Sequence, residues 1–257
     1  MKIVLIGTGN VAFHLGPVLK IKGHKIIQLF GRSEKNCLAL AKKLKCPYTT
    51  NHLNILTDAD LYIIALRDEA IAPFVKNLTF IPTLLVHTSG SVGLDVFPVK
   101  MKNTGVIYPL QTFSRSSKNN PETIPFCIEG SNQKSLKILK KLSSTLSKMV
   151  FKINSKKRAQ IHLAAVFANN FSNYLFVLAE KILNKNKIPF NIIRPLILET
   201  AQKVQTNTPG KMQTGPAVRG DVAIIKKHLK LLKDFPQMME IYKLLNKSID
   251  KEYRQKH

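Results

Sequence analysis

The chain opens on an apolar run, Ile3-Val4-Leu5-Ile6, that passes directly into Gly7-Thr8-Gly9-Asn10-Val11-Ala12. Apolar residues at helical spacing follow, at Val11, Leu15, Val18 and Leu19. This is a strand, a tight glycine turn and a helix, the local order that a dinucleotide pyrophosphate requires. Gly7 permits the turn, Gly9 lets the backbone approach phosphates without an intervening Cβ, and small Ala12 stands where helix and strand pack closely. The free N–H groups of the helix start would face the anion. A feature of this kind commits the N-terminal part to an α/β layer architecture before anything else is read.

Further alternation follows. Lys25–Phe30, Asp60–Leu66, Thr83–His87, Gly105–Tyr108, Pro125–Ile128 and Val150–Ile153 read as strands; Glu34–Leu44, Asp68–Leu78 and Gln133–Leu146 read as helices. Tyr48–Leu56 is ambiguous and reads as a short strand and a turn, and 113–121 reads as a polar loop. The pattern predicts a doubly wound, mostly parallel sheet. From Asn154 onward strand signals stop. Helical patterns cover about 156–185, 190–206, 221–233 and 236–254, punctuated by Pro189, Pro209-Gly210 and Gly215-Pro216. The expectation is an α/β chain of two domains: 1–153 binding a dinucleotide, and 154–257 all-helical.

Composition limits the partners. The formal net charge is +25, yet Arg accounts for only seven of the 40 basic residues, and the Lys are scattered without interleaved aromatics. A Lys-rich solvated surface is expected rather than a specific nucleic-acid site. Three cysteines, Cys37, Cys46 and Cys127, show no metal or disulfide spacing, which predicts a reducing, cytoplasmic setting and no metal. The apolar stretch 161–179 carries His162, Asn169, Asn170 and Asn173, groups costly in lipid, so no membrane segment is expected.

Cofactor choice is read at the end of the second strand. An NAD site usually places an acid there, and an NADP site a cation for the 2′-phosphate. Here stand Gly31-Arg32-Ser33, a guanidinium and a hydroxyl suited to phosphate, which favours NADP. Glu34, one residue on, keeps NAD open. The expected cofactor residues are Gly7, Thr8, Gly9, Asn10, Val11, Ala12, Arg32 and Ser33, together with Leu66 at the end of the Asp60–Leu66 strand.

The helix from about Lys156 is apolar nearly all round, which predicts burial. At 100° per residue, Arg158, His162, Ala165, Asn169, Ser172 and Asn173 share one narrow arc, and Asn170 lies off it. A polar stripe on a buried helix needs a partner: substrate, nicotinamide amide, water or a structural network. His162 is a candidate proton donor, since imidazole ordinarily titrates near neutrality, and Asn169 a candidate for orienting substrate. Thr88 and Ser89, in His87-Thr88-Ser89-Gly90-Ser91, lie just past a strand's carboxyl end, where ligands of open α/β sheets bind. Tyr108-Pro109-Leu110-Gln111-Thr112 follows another strand and is a candidate to face the same cleft. Thr214 and Arg219, in the loop before Asp221, are further substrate-binding candidates, while Asp221 reads as a helix N-cap.

Taken together, GTGNVAFHL at 7–15, GRS at 31–33, HTSGS at 87–91, YPLQTFS at 108–114, HLAAVFANNF at 162–171 and TGPAVRGD at 214–221 make the chain resemble a bacterial family. Its members pair a Rossmann-like NADP-binding domain with a C-terminal domain called DUF2520, and are described as NADP or F420-dependent NADP oxidoreductases. The resemblance spans nearly the whole chain. It implies the two-domain architecture and a helical half that dimerises. More distantly the chain looks like pyrroline-5-carboxylate reductase and the β-hydroxyacid dehydrogenases. The latter carry a Lys four residues before an Asn on the first long helix of the second domain. Here Arg158, His162 and Asn169 stand on that helix, and the Lys–Asn pair is not matched.

These readings converge on an NADP(H)-dependent oxidoreductase acting on a small molecule in a cleft between two domains and assembled as a homodimer. The alternative is a non-catalytic NADP-binding redox sensor or scaffold.

Overall fold

The computed structural model describes residues 1–116 and 120–254. The polar loop read over 113–121 therefore crosses 117–119, which lie outside the described residues. Tertiary contacts divide the chain into two compact units, Met1–Asn170 and Phe171–His257.

The first unit is built on one eight-stranded sheet in the order β3-β2-β1-β4-β5-β6-β7-β8. The strands are β1 (Lys2–Ile6), β2 (Lys25–Phe30), β3 (Tyr48–Thr49), β4 (Leu61–Ile64), β5 (Leu85–His87), β6 (Thr104–Pro109), β7 (Phe126–Gly130) and β8 (Val150–Lys152). All neighbours run parallel except β6 and β7. The helices are α1 (Asn10–Ile21), α2 (Glu34–Leu44), α3 (Asp68–Lys76), α4 (Gln133–Leu146) and α5 (Ser155–Ala165). This is the expected doubly wound α/β fold. The ambiguous segment after α2 resolves into the two-residue β3 and a short 3₁₀ turn at His52–Asn54.

Alternation along β1 assigns the two layers. Ile3 and Leu5 point to one face and join Leu15 and Leu19 of α1, Leu40 and Leu44 of α2, and Leu139 and Leu142 of α4. Val4 and Ile6 point to the other face and join Ile71 and Val75 of α3, with Tyr62, Ile64 and Leu85. With both faces covered, central strands are apolar at every position, as Leu61–Ile64 is. Each fully buried aliphatic side chain here contributes about 1.5–3 kcal/mol. The chain runs outward from β1 to β3 and returns at β4, so a crevice opens at the carboxyl ends of β1 and β4.

The second unit is helical: α6 (Ser172–Lys185), α7 (Arg194–Thr206), the single turn α8 (Pro216–Arg219), α9 (Val222–Leu231) and α10 (Pro236–Arg254). Asp221 caps α9, its carboxylate accepting from the Ile224 N–H at 3.1 Å. The buried apolar cluster is small, formed by Leu178, Leu232 and Met238 with Phe235, Met239, Ile241 and Tyr242 against them.

Two sequence expectations about the 155–185 region need correction. Its apolar face is not buried within the chain. Leu163, Phe167 and Phe171 are 59%, 62% and 50% exposed, and Tyr174, Leu175 and Phe176 are exposed as well. Residues 155–185 are also long and apolar enough to cross a membrane, by length and composition alone. Apolar patterning reports that a surface needs covering, not what covers it. The helix is also not uniformly α: Val166–Phe171 forms a π turn between α5 and α6. The wider turn shifts the angular phase of every later residue, so an arc drawn at 100° per residue fails across it.

Candidate active site

Where β1 ends, Gly7 turns the chain with φ +116°. A Cβ there would overlap the carbonyl of Ala65 at the end of β4, so conformation and space both demand glycine. The Gly7 N–H donates to the Phe30 carbonyl at 2.7 Å, tying the turn to the end of β2. At Gly9, which precedes α1, a Cβ would meet nothing within 4 Å: the backbone faces open space.

That space is a cleft of about 600 Å³. Gly7, Thr8, Gly9, Arg32, Ser33 and Leu66 line it, all expected from sequence. Asn36, Arg67 and Arg115 line it too and were missed. Three guanidinium groups and no carboxylate among the lining residues suit a ligand rich in phosphate. Arg115 donates from Nη2 to the Asn36 side-chain oxygen at 3.3 Å, which sets it beside the first turn of α2. The Ser33 hydroxyl caps α2 by accepting from the Asn36 N–H at 3.4 Å. Glu34, the acid that kept NAD open, accepts from the Tyr48 hydroxyl at 3.5 Å. The backbone approach at Gly9 and the guanidinium lining fit a dinucleotide carrying an extra phosphate. Ala12 is fully buried and serves packing rather than contact.

The next two residues, Asn10 and Val11, line a second pocket of about 480 Å³. Tyr108, Gln111, His162, Asn169 and Asn170 share its walls. His162 and Asn169 are thus brought together. So is Asn170, which the ideal helical wheel had placed off the polar arc. The π turn accounts for that difference, spreading 166–171 so that adjacent asparagines reach one pocket. Asn10 donates from Nδ2 to the Phe113 carbonyl at 2.8 Å, fixing the loop that follows β6.

The rest of the polar stripe does not gather here. Arg158 is fully buried and works structurally. Nη1 pairs with Glu129 of β7 at 2.5 Å, and Nη2 donates to the Val92 carbonyl at 2.5 Å and to Ser155 Oγ at 3.2 Å. Ser172 and Asn173 fall in the second unit. Thr88 and Ser89 spend their hydroxyls locally. Thr88 donates to the Ile64 carbonyl at 3.3 Å, and Ser89 Oγ accepts from the N–H groups of Ser91 and Val92 at 3.1 and 3.0 Å. Neither lines the His162 pocket. Thr214 and Arg219 are exposed residues of the second unit.

His87 is buried at the end of β5. Burial first, and then the charge of Arg158, hold its pKa down at about 4. Its Nδ1 accepts from the Ser89 N–H at 3.2 Å, so a neutral ring suits the site. Among the described residues no group of three or more His, Cys, Asp or Glu is arranged to hold a metal.

Residues 2–88 match the family model described as NADP oxidoreductase, coenzyme F420-dependent, and residues 124–249 match the domain of unknown function DUF2520. No protein of curated function matches the chain. Among solved structures, putative NADP oxidoreductase BF3122 from Bacteroides fragilis is 41% identical, with 97% of this chain and 98% of that one covered at a TM-score of 0.92. Two others share the fold. The 1-pyrroline-5-carboxylate reductase of Streptococcus pyogenes is 17% identical, with coverage of 98% and 98% and a TM-score of 0.63. An imine reductase from Myxococcus stipitatus in complex with NADP+ is 12% identical, with coverage of 99% and 93% and a TM-score of 0.66. At 41% identity over nearly its full length, the chain belongs to the same family as BF3122, the NADP oxidoreductases, with a DUF2520 domain following the cofactor domain.

Proposed function

We propose that this oxidoreductase moves a hydride between NADP(H) and a small molecule held beside Asn10, Val11 and His162. The observation that carries the reading is continuity within one unit: Gly7 and Gly9 line the phosphate-suited cleft, and the next two residues line the pocket that holds His162 and the asparagines. When bound, the nicotinamide supplies or accepts the hydride.

The chain's own residues do the remaining work. The Gly7–Gly9 backbone and the start of α1 hold the pyrophosphate. Arg32, aided by Arg67, Arg115 and the Asn36 amide, takes the 2′-phosphate, which favours NADP over NAD. Thr8, Ser33 and Leu66 complete that wall. His162 offers a ring N–H to a carbonyl oxygen or imine nitrogen, and Asn169 orients the substrate through its amide. Residues 1–153 hold the cofactor. Residues 154–257 supply substrate contacts, with Thr214 and Arg219 the candidates, and self-association.

A homodimer through the C-terminal helices is part of the same reading. It is supported by Leu196 and Leu198 on α7 (67% and 58% exposed) and by the uncovered aromatic residues of α6. An apolar surface of this kind marks an interaction site. The three thiols are free, which supports a reducing, cytoplasmic setting.

The test is NADPH oxidation with aldehydes, 2-keto acids and imines, by wild type and His162→Ala. The expected result is turnover of one class, reduced at least about a hundredfold in the variant with NADPH affinity unchanged. Tight NADPH binding without turnover of any class would make the protein a redox sensor instead.

A further inference from the structure

The His162 pocket contains a pairing that the sequence did not single out. Tyr108, at the carboxyl end of β6, sits with its hydroxyl oxygen 3.1 Å from Nδ1 of His162 on α5. The rings meet edge to face, with centroids 5.9 Å apart and planes at 77°. Space for this meeting comes from a third element. A Cβ on Gly90, in the loop after β5, would come within 2.7 Å of Tyr108 Cζ and 2.8 Å of His162 Nδ1. Such separations are essentially never tolerated, so the absent side chain at 90 is what lets the two rings pair.

We propose that Tyr108 is the positioning residue of this site: its hydroxyl donates to Nδ1 of His162, holds the neutral ring with its proton on Nε2, and so presents an Nε2–H donor to an uncharged acceptor on the substrate. The chemistry follows from the inventory of donors. A neutral imidazole has one N–H and one lone pair, and the partner of one nitrogen decides the state of the other. Burial raises the Tyr108 phenol to about 12, so the hydroxyl keeps its proton in the neutral range and has it available to donate to Nδ1. With Nδ1 occupied, Nε2 is the nitrogen left for the pocket that His162 shares with Asn10 and Asn169. The acceptor class is a carbonyl oxygen or the lone pair of an imine nitrogen. A cationic iminium has no lone pair to accept with. The role proposed for Tyr108 is exerted through His162, and phenylalanine in its place would keep the ring and lose the constraint.

This inference rests on the reading of His162 as the group that meets substrate, but its test does not depend on turnover. The measurement is the ¹⁵N shift and proton coupling of both His162 ring nitrogens in the full-length protein, assigned by their loss in His162→Ala. The expected wild-type result is the Nε2–H tautomer. Tyr108→Phe should give a mixture of tautomers and about a hundredfold lower kcat, with NADPH affinity unchanged. A wild-type Nδ1–H tautomer, or a Tyr108→Phe spectrum identical to wild type, overturns the proposal. If Tyr108→Phe does not fold, Gly90→Ala serves the same purpose by wedging the rings apart, and its spectrum is read against that of the wild type. Should His162→Ala retain full turnover while the wild-type tautomer is Nε2–H, the pairing stands and the role given to His162 in catalysis fails.

Discussion

The two units of this chain solve the problem of apolar surface differently. In the Met1–Asn170 unit, the central strands β1, β4 and β5 are buried on both faces, and large apolar clusters fill the space between sheet and helices on each side. Among the described residues of the Phe171–His257 unit only a small cluster closes, around Leu178, Leu232 and Met238, while large apolar side chains on α6 and α7 face outward. A sheet wound with helices on both sides completes its core from local repetition. A few helices with broad apolar faces leave surface that a partner must cover. The contrast teaches that the first unit covers its own apolar surface, whereas the second leaves large apolar side chains exposed, the surface on which the proposed self-association rests.

Breaking the self-sufficiency of the first unit should have the largest effect. Glu129→Ala leaves the fully buried Arg158 guanidinium without its carboxylate. The expected loss is about 3–5 kcal/mol, read from the urea unfolding midpoint. A loss under about 1 kcal/mol would mean that the pair is not a keystone of this unit.

The same unit should respond to acid through His87. Its folded pKa, about 4, lies below the ordinary 6.5, so the unfolded chain takes up a proton that the folded protein refuses. Stability is fully present above about pH 6.5 and is lost as pH falls toward 4, by up to on the order of 3 kcal/mol. Urea melts across that range should show this slope, and His87→Gln should flatten it.

The second unit is tested by association. Leu198→Asp places a charge on the exposed face of α7 and should weaken self-association about a hundredfold, with the helical circular dichroism signal retained. Sedimentation equilibrium reads the change. Unaltered association would put the interface elsewhere.

The smallest effect is expected at the cofactor cleft, where one of three guanidiniums is removed. Arg32→Ala should raise the Kd for NADPH about tenfold and leave that for NADH within about twofold. Equal losses for both cofactors would move Arg32 away from the 2′-phosphate. Isothermal titration with both nucleotides distinguishes the outcomes.

Much of the fold was legible because its signals are local. The strand-glycine-helix start, the apolar β4 run and the Asp221 cap depend on a few adjacent residues. The same holds for Gly7, Thr8, Gly9, Arg32 and Ser33, which cluster within two strand ends. Arg67 and Arg115 were not found because they come from distant segments. Arg67 carried a usable signal, since it follows Leu66 past the end of β4, where ligands of such sheets bind. Tyr108 was read within the segment that follows β6, but its pairing with His162 was not. The π turn had none, because six residues of mixed character do not distinguish a turn of 3.6 from a wider one.

The sequence by itself determined the α/β layering, the glycine turn, the lean toward an extra phosphate and the helical character of residues beyond 154. These follow from periodicity and from short-range backbone chemistry. Tertiary structure alone decided which polar residues meet. It sent Arg158 to Glu129 rather than to a ligand, let adjacent asparagines share a pocket through the π turn, and set Tyr108 against His162 across the gap left by Gly90. Side chains far apart in the chain pair according to strand order and helix phase, and neither is written in any one segment.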